Sequence, residues 1–158
     1  MGLPSVPYVI AFLIGVVAGM RAMTAPAAIS WAARMGRLPL SGTGLAFLGY
    51  AWTPWVFTLA AIGELISDQL PSTPSRTVPV QFATRIAMGA LCGAALTAAG
   101  GSLIPGAIVG AAGAVVGTLG GRGFRARLAA AFGSDRPAAF IEDAIAITGG
   151  LLAYWAAR

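Results

Sequence analysis

Five long apolar segments, separated by short polar or glycine-rich stretches, dominate the hydrophobic pattern of the chain. Most of them approach or exceed the roughly 20 residues that an α-helix needs to cross a bilayer. In lipid the backbone hydrogen bonds must close within each segment, so such runs predict helices. The pattern therefore predicts a single all-α domain, residues 1–158, that forms an integral membrane bundle with spans near 8–24, 45–70, 80–99, 103–120 and 138–157.

Two shorter helical stretches accompany these spans. Pro26–Met35 is only about 15 Å long as a helix, half of a bilayer, and is predicted to be a half-helix, an interfacial helix or the bent end of the first span. A second short helix is predicted after residue 120, where it carries three arginines and ends near Gly133. Residues 71–79 contain three prolines, which predicts a linker.

Glycines recur at three- and four-residue spacing along the fourth span, which places them on one stripe of the helix. The stripe predicts close packing against the third span, because a short turn makes the two spans antiparallel neighbours. Its members are Gly106, Gly110, Gly113, Gly117 and Gly120.

An internal repeat is a further hypothesis. Gly19-Met20-Arg21 and the short helix after it resemble Gly120-Gly121-Arg122 and the short helix after that. A span with two acidic residues follows each unit. With five spans the two units face opposite ways, as in the inverted repeats of many transporters.

Composition strengthens the membrane interpretation. Of the 158 residues 58% are hydrophobic and 9% are charged, whereas a soluble domain carries about 25% charged residues. The net charge of +5 comes from ten arginines, which are scattered between apolar segments. Contact with anionic lipid headgroups explains them better than nucleic-acid binding, which requires a clustered basic face.

Several function classes are excluded by what the sequence lacks. Without histidine, neither a His-based zinc site, an ordinary haem site nor a Ser-His-Asp set can be built. A Walker-type phosphate loop is also missing, so we expect no enzyme, cofactor or metal. The lone Cys92 lies in an apolar run, which favours a role as a small buried residue.

The N-terminal segment is expected to be the first membrane helix, since residues 1–8 contain no Lys or Arg of the kind that begins a signal peptide. Orientation is weakly determined. Five spans place six arginines on the N-terminal side and four on the other, which favours a cytoplasmic N-terminus.

Glu64 and Asp68 are the sharpest candidates for chemistry, because residues four apart share one helix face. A carboxylate flanked by apolar residues in lipid is costly unless it faces the bundle. One interpretation is an ion or proton site. The other is a structural ion pair with Arg85 or Arg21 that fixes helix packing.

Glu142 and Asp143 form a second acidic pair, in the first turns of the last span, where the helix dipole favours carboxylates. Arg21 and Arg85 lie at span ends, from which they either extend to headgroups or pair with these acids. The six residues are candidate substrate- or ion-binding residues. Arg122, Arg125 and Arg127 are candidate lipid-headgroup contacts, or otherwise a site for a phosphate-bearing solute.

The order of these features resembles one bacterial family. The features are, in chain order, Gly-Met-Arg-Ala at 19–22, Pro26 with an Ala-rich helix up to Gly36, Glu-Leu-Ile-Ser-Asp-Gln-Leu-Pro at 64–71 and Glu-Asp-Ala at 142–144. This pattern resembles the multi-pass membrane family catalogued as domain of unknown function 4126, although Gln69 stands where that family usually has a basic residue. The resemblance implies a bacterial inner-membrane protein and supplies no catalytic residues.

Two functional hypotheses follow. The first is a small transporter or channel, for an ion or a small anionic solute, that uses a buried cluster of Arg, Glu and Asp. The alternative is a non-transporting scaffold or lipid-organising protein whose charges are structural. The expected partners are membrane lipids, and no nucleic acid is expected. Whether the protein forms a homo-oligomer is an open question.

Overall fold

The computed structural model describes residues 6–70 and 77–157. Within these ranges the chain is helical, with short turns and two 3-10 helices, Ala46–Gly49 and Ala98–Gly100. The α-helices are α1 (Val6–Met20), α2 (Thr24–Arg34), α3 (Thr53–Ser67), α4 (Pro79–Thr97), α5 (Leu103–Phe132) and α6 (Asp135–Ala156). The all-helical prediction is confirmed for this part of the chain, and most of the linker predicted at 71–79 lies outside the described residues.

A proline marks the start of every one of these six helices. Each proline occupies one of the first three helical positions, where the missing backbone N–H costs no intrahelical hydrogen bond. They are Pro7, Pro26, Pro54, Pro79, Pro105 and Pro137. The starts of the helices are therefore marked more firmly in the sequence than their ends.

Two predicted boundaries are wrong. The short helix expected after residue 120 is the continuous end of α5, which runs for 30 residues to Phe132. A helical glycine costs only about 1 kcal/mol relative to alanine, so Gly120, Gly121 and Gly123 do not end a helix with good neighbours. The segment expected at 45–70 is divided, because α3 begins only at Thr53.

Three helical stretches of the described ranges are long and apolar enough to cross a membrane, namely 79–100, 103–132 and 135–156. This is compatible with a membrane protein. The expected count of five spans is not confirmed, because α1 and α3 have 15 residues each. Helices of that length reach about 22 Å, less than the hydrocarbon core of about 30 Å.

Close glycine contacts reveal the directions of three helices. On α1, a Cβ at Gly15 would lie 2.1 Å from the Gly110 carbonyl oxygen, and one at Gly19 would lie 2.3 Å from that of Ala114. The residue numbers of the contacts increase along both helices, so α1 and α5 are parallel. On α4, Gly89 lies against Gly110, and residue 93 lies against residue 106, so α4 and α5 are antiparallel.

The second helix turns back along the bundle. At its start, the Met23 amide contacts Glu64 of α3, whereas further along α2 Trp31 donates a hydrogen bond to Thr58. Contacts of α2 therefore move backwards along α3. The same holds for α1 and α6. Val17 of α1 lies against Gly149 of α6, whereas Arg21, after the end of α1, lies against residues 142 and 143, so α1 and α6 are antiparallel. Together these contacts make α1 and α2 a helical hairpin with residues 21–23 as its tip.

The six helices consequently alternate in direction, and the bundle has two distinct ends. We call the end that holds the end of α3, the start of α4 and the turn between α5 and α6 the charged end. The opposite, aromatic end holds the start of α1, residues 35–52 and the end of α6. This corrects the five-span topology, which placed Arg21 on the opposite side from Arg85. It also removes the inverted repeat, because α1 and α5 run the same way.

Every tryptophan and tyrosine of the chain lies in the half of the bundle toward the aromatic end. Trp31 and Trp55 form an edge-to-face pair with ring centroids 5.1 Å apart, and the Arg37 guanidinium lies over the rings of Tyr154 and Trp155. The remaining members are Tyr8, Tyr50 and Trp52. Such residues favour a membrane–water boundary, so this end is suited to one interface.

The glycine stripe of α5 divides between two neighbours. Gly106 and Gly110 face α4, as predicted, but Gly113 and Gly117 face the backbone of α1 at Phe12 and Val16. Gly120 is exposed, and a Cβ added to it would meet open space. Since none of the buried stripe positions has room for a Cβ, α5 contacts α1 and α4 backbone to backbone.

We expect Gly110→Leu to destabilise the bundle, because even its Cβ would lie 2.1 Å from the Gly89 carbonyl oxygen. Gly120→Leu is the matched control, since a Cβ there meets nothing within 4 Å. Thermal unfolding in detergent should show a large loss of melting temperature for the first variant only. Equal melting temperatures for both variants would contradict this packing.

The hairpin topology predicts which loops share a side of the membrane. In a Cys92→Ala background, cysteines at Val6 and Ser41 should react with an impermeant maleimide from one side of cell membranes, and a cysteine at Ser134 from the other. The five-span topology predicts instead that Val6 is labelled together with Ser134. Labelling of intact and permeabilised spheroplasts distinguishes the two patterns.

Candidate functional site

The acidic residues of the whole chain gather in one place. There are only five of them, and each lies within ion-pair distance of an arginine near the hairpin tip. Four helices contribute: α3, α4, α5 and α6. We call this set the charge network; its members are Arg21, Arg85 and Arg125 with Glu64, Asp68, Asp135, Glu142 and Asp143.

Arg21 is the centre of the network and the largest fully buried side chain of the described residues, with 0% exposure. Its guanidinium forms ion pairs with Asp68 at the end of α3 and with Asp143 of α6, where Nε donates a hydrogen bond of 2.6 Å. Glu142 lies 3.7 Å from Nη2. Because a buried charge is stable only when paired, these carboxylates hold the hairpin tip against α3 and α6.

Glu64 caps the start of α2. Its two carboxylate oxygens accept hydrogen bonds from the backbone amides of Ala22 and Met23, at 2.8 and 2.9 Å. The first amides of a helix have no intrahelical acceptor, and a negative charge is favourable at the positive end of the helix dipole. A side chain from α3 thereby satisfies the backbone amides that the break between α1 and α2 leaves without intrahelical partners.

Arg85 performs the complementary task at the end of α1. Its Nη1 donates hydrogen bonds to the carbonyl oxygens of Gly19 and Met20, at 3.0 and 2.8 Å. Thr118 of α5 also donates to the Gly19 carbonyl, at 3.1 Å. The Nη2 atom of Arg85 lies 3.4 Å from Glu64, so one ion pair bridges the two helix ends. Of the two partners expected for Glu64, Arg85 or Arg21, the structure therefore shows Arg85.

Arg125 is a second hub, between α3, α5 and α6. It donates hydrogen bonds to Asp68 at 2.7 Å and to both carboxylate oxygens of Asp135, at 2.8 and 2.5 Å. Glu142 lies 3.6 Å away. Asp68 therefore accepts hydrogen bonds from both Arg21 and Arg125, and this shared carboxylate joins the hairpin tip to the α5–α6 turn.

The central members of the network lie inside the bundle, whereas Asp135 is exposed at its end face. Arg85 comes six residues after the start of α4, and Glu142 comes seven residues after the start of α6. These offsets correspond to about 9–10 Å along each helix axis.

The six candidate binding residues all belong to the network, and their role in binding stays a prediction; they are Glu64, Asp68, Arg21, Arg85, Glu142 and Asp143. The three arginines expected at lipid headgroups are separated. Arg122 and Arg127 are exposed, whereas Arg125 is half-buried among carboxylates. Sequence analysis missed Asp135 and the pairing of Arg125. The signal present in the sequence was the glycine at 133, whose turn brings positions 125 and 135 together.

Removing the central arginine should be more harmful than neutralising one of its partners. Arg21→Gln leaves three carboxylates facing one another, and loss of one partner from a buried pair costs about 3–5 kcal/mol. Asp143→Asn should cost less, and the double variant should recover part of the loss. Thermal unfolding in detergent measures all three, with Arg34→Gln on the exposed surface as the control. Additive losses in the double variant would contradict the pairing.

Comparison with known proteins adds one finding. A family model matches residues 9–157, a range that includes every member of the charge network. Neither the curated proteins nor the solved structures contain a match to the chain. Because the match covers nearly the whole sequence, the chain belongs to the family described as Domain of unknown function (DUF4126).

Proposed function

We propose that this protein is an integral protein of the bacterial inner membrane that moves protons across the bilayer through the charge network. One observation carries the proposal. All five carboxylates of the 158-residue chain belong to the charge network around the break between two short helices, and its buried members Arg85 and Glu142 lie about 10 Å inside one end of the bundle. Ionisable groups at membrane depth are costly and usually mark ion or proton paths.

The helix break itself supports a transport role. Many transporters place their sites where a helix is interrupted, because free backbone groups and half-helix ends can then contact an ion. Irregular backbone at membrane depth is tolerated only where protein or a water-filled cavity covers it. Residues 19–23 meet this condition, since Arg85 of α4 contacts the carbonyls of Gly19 and Met20 and Glu64 of α3 contacts the amides of Ala22 and Met23.

The composition of the network favours protons over a small anionic solute. Every arginine in it already contacts at least one carboxylate, so an anion must first displace an acid. A proton can bind a carboxylate oxygen without first displacing another group. When Asp143 binds a proton, its attraction for Arg21 weakens, and the guanidinium is then held by its remaining partners, Asp68 and Glu142. Such a loss of one partner couples protonation to movement of the hairpin tip.

A structural role is the second candidate function, and one observation favours it. Glu64 and Arg85 contact backbone amides and carbonyls as well as each other, which is how a side chain secures a helix break. In this alternative the protein is a non-transporting scaffold or lipid-organising protein. Both candidates are non-enzymatic and neither involves nucleic acid.

Proton flux into liposomes tests the proposal. We expect purified protein to acidify a vesicle-trapped pH dye under an imposed potential, and Asp143→Asn to reduce the rate to that of protein-free vesicles while remaining folded. Arg34→Gln is the control, because Arg34 is exposed near the aromatic end and lies outside the charge network.

Proton flux rather than thermal stability separates the two candidates, as Glu64→Gln illustrates. This variant removes a charge from the α2 cap, so it should lower thermal stability under either function. Wild-type vesicles that show no flux above protein-free vesicles, at any pH tested, would defeat the transport proposal and favour the scaffold.

A further inference from the structure

The last third of α5 projects beyond its hairpin partner. Gly89 lies opposite Gly110 and Gly93 lies opposite Gly106, so continuing this antiparallel register places Pro79, the first residue of α4, level with Gly120. Residues 121–132 therefore extend past the start of α4 at the charged end. In agreement, Cβ positions at Gly120 and Gly123 meet no atom within 4 Å.

This projection carries exposed arginines and exposed aromatic rings together. Arg122 and Arg127 are exposed on α5, and Arg136 is exposed at the second residue of α6. Large exposed apolar side chains lie among them, namely Phe124, Phe132 and Phe140. We call Arg122, Arg127, Arg136 and these three phenylalanines the basic rim.

The rim arginines are separate from the ion pairs of the charge network. All acidic residues of the chain are members of that network, where each faces Arg21, Arg85 or Arg125. Even the exposed Asp135 binds Arg125 through both oxygens. The network has more acids than arginines and is itself net negative, so the positive charge exposed at this end is local to the three rim arginines.

We propose that the basic rim binds the phosphate headgroups of anionic phospholipids, with the charged end on the cytoplasmic side of the membrane. Arginine matches phosphate oxygens with two parallel N–H donors, and the phenylalanines can enter the acyl region beside it. Among the described residues, the exposed arginines at this end outnumber those at the aromatic end, which agrees with the excess of positive charge on cytoplasmic loops. The start of α1 and the end of α6 then lie on the opposite side, the reverse of the cytoplasmic N-terminus that the five-span count favoured.

This site is independent of transport, because none of its arginines belongs to the charge network. The test uses detergent-purified, full-length protein titrated with short-chain phosphatidylglycerol, with short-chain phosphatidylcholine of equal chain length or with inorganic phosphate. A ligand that binds only the folded state raises the melting temperature. We expect phosphatidylglycerol to raise it more than phosphatidylcholine, and the difference to shrink with added salt.

Variants assign the effect to the rim. Replacing Arg122, Arg127 and Arg136 together by Gln should abolish the preference for phosphatidylglycerol, whereas replacing them by Lys should retain most of it, because lysine keeps the charge. The matched control is Arg34→Gln, an exposed arginine at the aromatic end. If the Gln variant does not fold, the Lys variant and the salt dependence still decide the question.

Three results would overturn the proposal. They are equal stabilisation by both lipids, full retention of the preference in the Gln variant, and an effect of inorganic phosphate equal to that of phosphatidylglycerol. The last result would identify a site for soluble phosphate instead of a lipid surface.

Discussion

The position of Arg21 constrains the rest of this structure. A guanidinium that is removed from water needs carboxylates around it, and the chain has few. They come from α3 and α6, which are far apart in sequence and run in opposite directions. Because the two helices are antiparallel, acids near the end of α3 and acids near the start of α6 lie at the same height in the bundle. The hairpin tip, the end of α3 and the start of α6 are therefore fixed by one electrostatic requirement.

The remainder of the bundle is held by a different interaction. Between α1, α4 and α5 the contacts are made by glycine and alanine, with backbones in van der Waals contact and few large side chains. Where lipid replaces water, burial of apolar surface between helices contributes little, and close packing contributes more. The protein thus combines a tightly packed, weakly polar centre with a charged end in which directional ion pairs determine which helices meet.

Much of this could be predicted from residue patterns. The helical class, the partners of Gly106 and Gly110 and the pairing of Glu64 with Arg85 follow from local spacing. The reversal after Arg21 could not be predicted, because Met20 to Thr24 contains neither proline nor glycine to mark a turn, and Pro26 marks only the start of α2, not its direction. The break is stabilised by Glu64 and Arg85, which are tens of residues away. Long-range capping of this kind leaves no local signal.

The continuous α5 illustrates the opposite failure. Glycines at 120, 121 and 123 have the local signature of an ending, yet tertiary contacts and the inward pairing of Arg125 maintain the helix. Sequence spacing also grouped Arg125 with its basic neighbours. Only the turn at Gly133, which returns Asp135 toward it, separates its environment from theirs.

An even number of alternating helices has a consequence for evolution and engineering. Because α1 begins and α6 ends at the same end of the bundle, two copies of the unit joined head to tail would both sit the same way up. The connecting segment would stay at the aromatic end, and no additional span would be needed to restore orientation. Duplication of this unit therefore yields parallel halves, in contrast to the antiparallel halves that duplication of a unit with an odd number of spans produces.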